Sequence, residues 1–163
     1  METKTLIVDT NSYLFTYSED TRLWANLESD FADEYQLDTE ISMKNFPEGA
    51  FHWEDVAAFI SYLKHGRHWL SEQIEAAKQP LFELCRTFFK DAIDEETDSH
   101  MDLDAVSIEY RGCRQNAAGG KIFSYDILYS LYDTRDPYSG DLGMFIWRAS
   151  FDNQDIRGVQ FDL

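Results

Sequence analysis

The chain has 163 residues and sets 31 acidic against 14 basic side chains, a formal net charge of −17. Such a field repels nucleic acid and anionic membrane and attracts basic proteins, which excludes direct nucleic-acid and membrane binding as the expected activities. Apolar residues make up 44% and aromatics 15%, too rich in aromatics for disorder, so the sequence predicts one folded domain over residues 1–163.

In chain order, Thr5 to Val8 is a β-prone run, closed by Asp9-Thr10-Asn11-Ser12. Tyr13 to Tyr17 is a second, with Tyr13, Phe15 and Tyr17 on one side and Asn11-Ser12 placed to turn a hairpin. Between residues 18 and 40, Trp24, Leu27, Phe31 and Tyr35 recur every three or four positions, the spacing of a helical face. Glu28, Asp30, Asp33 and Glu34 would lie mostly on the other faces. A short acidic amphipathic helix and an irregular acidic loop both fit this segment. Ile41 to Lys44 fits a strand, and Pro47-Glu48-Gly49 breaks the chain.

The middle reads as helix. Val56, Phe59, Ile60 and Leu63 form an i, i+3, i+4, i+7 stripe, with Glu54 and Asp55 in the first turn and Gly66 as a C-terminal stop. Leu70, Ile74, Ala77, Leu81, Leu84, Cys85, Phe88 and Ala92 continue a 3.6-residue stripe; Pro80 either kinks that helix or opens another. The acidic run Asp91 to Asp104 is expected as an exposed connection. The last third alternates as antiparallel strands, at Val106–Tyr110, Ile122–Tyr132, Met144–Phe151 and Gly158–Leu163, joined by polar turns. The fold class is therefore α+β: an antiparallel sheet, a meander in its C-terminal third, with two or three helices packed on one face.

Chemistry-bearing motifs are sparse. His65-Gly66-Arg67-His68 is the one short histidine pair, and it lacks the further ligands a metal site needs. His52 and His100 stand alone. Asp98-Ser99-His100-Met101-Asp102 has the residue types of a hydrolase triad but not its separated elements, and no nucleophile elbow is present. Cys113 sits near Arg111 and Arg114, which would favour a thiolate, yet it has no histidine partner; Cys85 and Cys113 are expected as free thiols. Asp94 to Asp104 lacks the glycine and the order of a calcium loop. Asn116 to Lys121 lacks a phosphate cradle and reads as a hairpin turn. The sequence thus carries no catalytic residues, no metal site and no cofactor as expectations. A small ligand-binding domain or enzyme would need convergent groups, for which His65, His68, Tyr110 and Arg148 are the candidates.

What remains is the carboxylate clustering. Residues 91–104 contain seven acids and no base, and a second acidic block covers the first 55 residues. One reading is a solvated surface; the other is a recognition surface for a basic protein, with aromatic anchors among the acids. The residues assigned to it are Trp24, Glu28, Asp30, Phe31, Asp33, Glu34 and Tyr35, with Asp94, Glu95, Glu96 and Asp98. In size, acidity, lack of a signal-peptide pattern and lack of catalytic motifs, the chain resembles bacterial immunity proteins, small cytosolic partners that neutralise a cognate toxin, often a basic nuclease. The resemblance is one of overall character and implies a cytoplasmic inhibitor; a mimic of nucleic-acid charge is a close variant.

Overall fold

The computed structural model describes residues 1–32, 35–90, 94–136 and 146–162. Four strands come first: β1 (Glu2–Val8), β2 (Asn11–Ser18), β3 (Leu23–Ala32) and β4 (Tyr35–Ser42). A 3-10 turn, Met43–Asn45, leads to α1 (Trp53–Lys64), α2 (Arg67–Phe88) and the short α3 (Glu95–Ser99). Then follow β5 (Met101–Gln115), β6 (Lys121–Asp133), β7 (Ile146–Asp152) and β8 (Asp155–Asp162). Among the described residues the eight strands form one sheet in chain order. Neighbours are antiparallel except β4 and β5, which run parallel because the helices cross between them. The α+β class and the C-terminal meander are as expected.

Alternation sorts the side chains. In β6, Phe123, Tyr125, Ile127, Tyr129 and Leu131 are buried beneath the helices, while Ser124 and Asp126 point to the opposite, helix-free face. The helices meet that layer with the predicted stripes: Val56, Phe59, Ile60 and Leu63 of α1, and Leu70, Ile74, Ala77, Leu81 and Cys85 of α2 are fully buried. The Tyr129 hydroxyl donates to the Ile74 carbonyl at 2.9 Å and pins α2 to β6. Pro80 lies inside one continuous α2. The carbonyl it leaves unbonded is that of Ala76, an exposed residue whose backbone water can reach.

Several expectations are corrected. Residues 23–42 are two strands, neither helix nor loop. The spacing of Trp24, Leu27 and Phe31 imitates a helix face, but Trp24 and Phe31 share a side through a β-bulge: Asn26 pairs with Thr39, and the next pair is Ser29 with Leu37. The extra residue flips the parity of β3, so Trp24, Ser29 and Phe31 are all buried and Leu27 turns outward. The first hairpin turns at Asp9-Thr10, both at positive φ, which lets Asn11 pair with Val8. Ile41-Ser42 ends β4, and Met43-Lys44 belongs to the 3-10 turn. The acidic run is not one exposed connection: residues 95–99 are helical, and Met101 to Asp104 are strand, with Leu103 fully buried. Residues 91–93 lie outside the described set.

Gly66 links α1 to α2 at φ −110°, so it is not needed for a left-handed turn. It is needed for space. A Cβ there would sit 2.1 Å from the Trp69 indole, which itself packs against Tyr62 at 4.9 Å. Gly66→Ala is therefore expected to lower stability by about 1–3 kcal/mol, the usual range for overpacking. Urea denaturation measures this, and in a Trp69→Leu background the cost should largely vanish.

Candidate functional site

The structure does not gather the acidic recognition residues into one patch. Trp24 and Phe31 are core residues: Trp24 lies 5.0 Å from both Tyr17 and Trp53, and Phe31 stacks on Tyr13 at 5.7 Å. As exposed anchors they are ruled out, because β3 turns them toward the helices. Tyr35 is half-buried and donates to the Glu75 carboxylate; burial first, then that carboxylate, pushes its pKa up. Asp30 is exposed and paired with Arg67 at 3.0 Å. Asp33 and Glu34, and the side chain of Glu28, lie outside the described set.

The second block is tied down as well. Asp94 accepts from the Thr97 amide at 2.7 Å as the N-cap of α3, which holds its carboxyl below the usual range. Glu96 pairs with Arg135 at 3.1 Å and Asp98 with Arg86 at 3.0 Å; Glu95 is exposed. Arg67 and Arg86, which hold the two blocks, are separated along α2 by roughly 28 Å at the helical rise of 1.5 Å per residue. The two blocks thus sit toward opposite ends of α2.

The other candidates disperse. Among the described residues no group of three His, Cys, Asp or Glu side chains is placed to share a metal ion. His65 bonds back to the Ser61 carbonyl through Nδ1 at 2.7 Å. Cys85 and Cys113 are free. The Cys113 thiol is not activated: burial and then Asp55 raise its pKa. Arg111 instead turns to Glu109 and Asp126, and Arg114 to Asp152. Tyr110 is buried against Phe46 and Phe59, apart from Arg148.

Two features of the helix-free face went unread in the sequence. The first is a charged cluster. Register aligns Ala25, Glu40, Glu109, Asp126 and Ser150 across five strands, so three carboxylates occupy adjacent strands in one row. Arg148 lies one step along the strands and donates to Glu109 at 3.0 Å and Asp126 at 2.7 Å, with all three side chains about nine-tenths buried or more. Arg111 Nη1 donates to Glu109 at 3.3 Å, and Asn45 Nδ2 to the same oxygen at 2.7 Å. Glu40 completes the row. Burial, then Glu109 and Asp38, raise its pKa, against the pull of Arg148.

The second is a groove over β2 and β3. These strands pair only from Thr16 to Ser18 against Leu23 to Ala25. Beyond Ala25 the bulged β3 leaves the ladder, and Asn26 bridges the gap by donating to the Leu14 carbonyl at 2.9 Å. The strands splay around a depression of about 820 Å³ open to solvent. Its floor is Leu14, Leu23, Ala25 and Leu27; Glu2, Glu19 and Asp20 stand around it. Leu14 is 53% and Leu27 69% exposed.

No helix among the described residues is long and apolar enough to cross a membrane. No protein-family model, curated protein or solved structure matches the chain.

Proposed function

We propose that the chain is a partner-binding protein of the immunity type, which holds a basic protein, such as a cognate toxin or nuclease, and neutralises it. One observation carries this reading: most of the cations are engaged by the molecule's own carboxylates, while many acids face outward. Arg67, Arg86, Arg111, Arg114, Lys121, Arg135, Arg148 and Arg157 each lie within ion-pair distance of a carboxylate. Glu2, Glu19, Asp20, Glu48, Glu72 and Glu95 are exposed. A net charge of −17 is therefore presented mostly as uncompensated surface carboxylate, which speeds encounter with a cationic partner and rejects anionic ones. Charge alone does not give affinity at physiological salt, so the partner must also meet apolar surface. Exposed Ile7, Leu14 and Leu27 on the N-terminal strands supply it.

The test is capture followed by inhibition. The immobilised chain, exposed to lysate of the host that encodes it, should retain one basic protein near stoichiometrically, with retention falling but not vanishing at raised salt. Adding the chain to that protein in equal amount should abolish its activity or toxicity. Retention of only abundant basic proteins, all lost at modest salt, would overturn the reading.

A further inference from the structure

The geometry points to the groove over β2 and β3 as the docking site for a basic amphipathic segment of the protein partner, an inference that rests on the partner-binding reading above. The floor is mainly apolar and lies where β2 and β3 part: Leu14 projects from β2, beside Thr16 and Ser18, and Leu23, Ala25 and Leu27 from β3. Leucines exposed to this degree, side by side, are a cost in a free surface and an anchor in an interface. Around them stand three carboxylates, Glu2, Glu19 and Asp20, and among the described residues that line the groove none has a basic side chain; the Met1 amino group is the one cation there. A segment that alternates cationic and aliphatic side chains satisfies both layers at once. Its aliphatic side chains fill the space between the splayed strands, and its cations reach the rim.

The other occupants fit less well. A second copy of this chain would bring another acidic rim against the first, within a pair each member of which carries −17. An anionic membrane is repelled by the same field. The groove exists because of the β3 bulge. Without the extra residue between Asn26 and Ser29, β3 would continue along β2, and Leu27 would not stand clear of the ladder.

The probes are two blocked peptides of roughly twelve residues, one alternating lysine with leucine and one alternating lysine with serine, at equal charge. Titration followed by backbone amide shifts should give at least tenfold tighter binding for the lysine–leucine peptide, with shifts concentrated in β1 to β3. The double variant Leu14→Ser/Leu27→Ser should erase that tenfold advantage and keep the melting temperature, since both side chains are already exposed. Glu19→Gln/Asp20→Asn should weaken the same peptide and flatten its salt dependence. Equal affinity for both peptides, or shifts spread over Glu48, Glu72 and Glu95, would show attraction by charge alone and overturn the assignment. The partner separates the two readings. If wild type and the Leu14→Ser/Leu27→Ser variant retain the same basic protein equally, the groove assignment fails and the binding function stands. If the peptides behave as expected while no basic protein is retained, the groove stands and the immunity-type function fails.

Discussion

Replacing Arg148 with methionine is expected to lower stability by about 3 kcal/mol near neutral pH, a loss of the size seen when one member of a buried ion pair is removed. Arg148 reaches Glu109 and Asp126 at 3.0 and 2.7 Å, in a site where all three side chains are almost out of water. Methionine fills most of the volume, so the loss is electrostatic. Two carboxylates would be left buried with one cation near them, Arg111, itself 39% exposed and 3.3 to 3.8 Å away, and the neutral Asn45 amide on Glu109. The effect on Glu40 has a definite sign. Its pKa is already raised by burial and by Glu109 and Asp38, and Arg148 is what opposes the rise. A carboxyl whose pKa in the fold exceeds its unfolded value binds protons preferentially when folded. It costs stability above that pKa, and the cost is relieved as the pH falls through it. Arg148→Met should therefore show a deficit that narrows on acidification, read from urea midpoints across the acid range. The triple variant Glu109→Gln/Asp126→Asn/Arg148→Met removes the charges together and should recover most of the loss. A deficit of the same size in the triple variant would mean that packing, not charge, is what Arg148 supplies.

This cluster marks where sequence reasoning stops. The alternation in Ser107-Ile108-Glu109-Tyr110-Arg111 already places Glu109 and Arg111 on the face away from Ile108 and Tyr110. What the sequence does not contain is the register that sets Glu109 opposite Asp126 and beside Glu40, since that depends on the parallel junction of β4 with β5 across three helices. The helices themselves were legible, because a 3.6-residue stripe is local information: Val56, Phe59, Ile60 and Leu63 are all buried as that stripe requires. β3 is hidden in the sequence for an equally physical reason. The bulge between Asn26 and Ser29 breaks the period of two, so that Trp24 and Phe31, seven apart, share the buried side; with Leu27, which lies on the other side, their spacing imitates a helix face. The same imitation costs the candidate site its anchors. By spacing alone Trp24 and Phe31 fall as surface aromatics among acids, whereas the strand turns them inward and leaves Leu27 as the exposed apolar residue.

The second large effect is expected from Phe59→Ala, at about 3–5 kcal/mol, the range for truncating a buried aromatic. Phe59 has no exposed surface, and its ring lies 5.1, 5.6 and 5.4 Å from those of Tyr110, Phe123 and Tyr125. Among the described residues it is thus the one α1 side chain that joins that helix to rings on both β5 and β6. Neighbours that are rings themselves, with Tyr125 further held through its hydroxyl to the Asn153 carbonyl at 2.7 Å, cannot collapse into the space left behind. The cavity term therefore adds to the lost burial. For a domain of this length that corresponds to a fall in melting temperature of about 10 °C. Phe59→Leu, which keeps most of the volume, should cost less than half as much. Both variants act on the helix-covered face. At temperatures where they remain folded, they should bind the lysine–leucine peptide as wild type does, because the groove residues Leu14, Ala25 and Leu27 point to the other side of the sheet. A Phe59→Leu variant that is fully folded yet loses the peptide would place the binding surface under the helices instead.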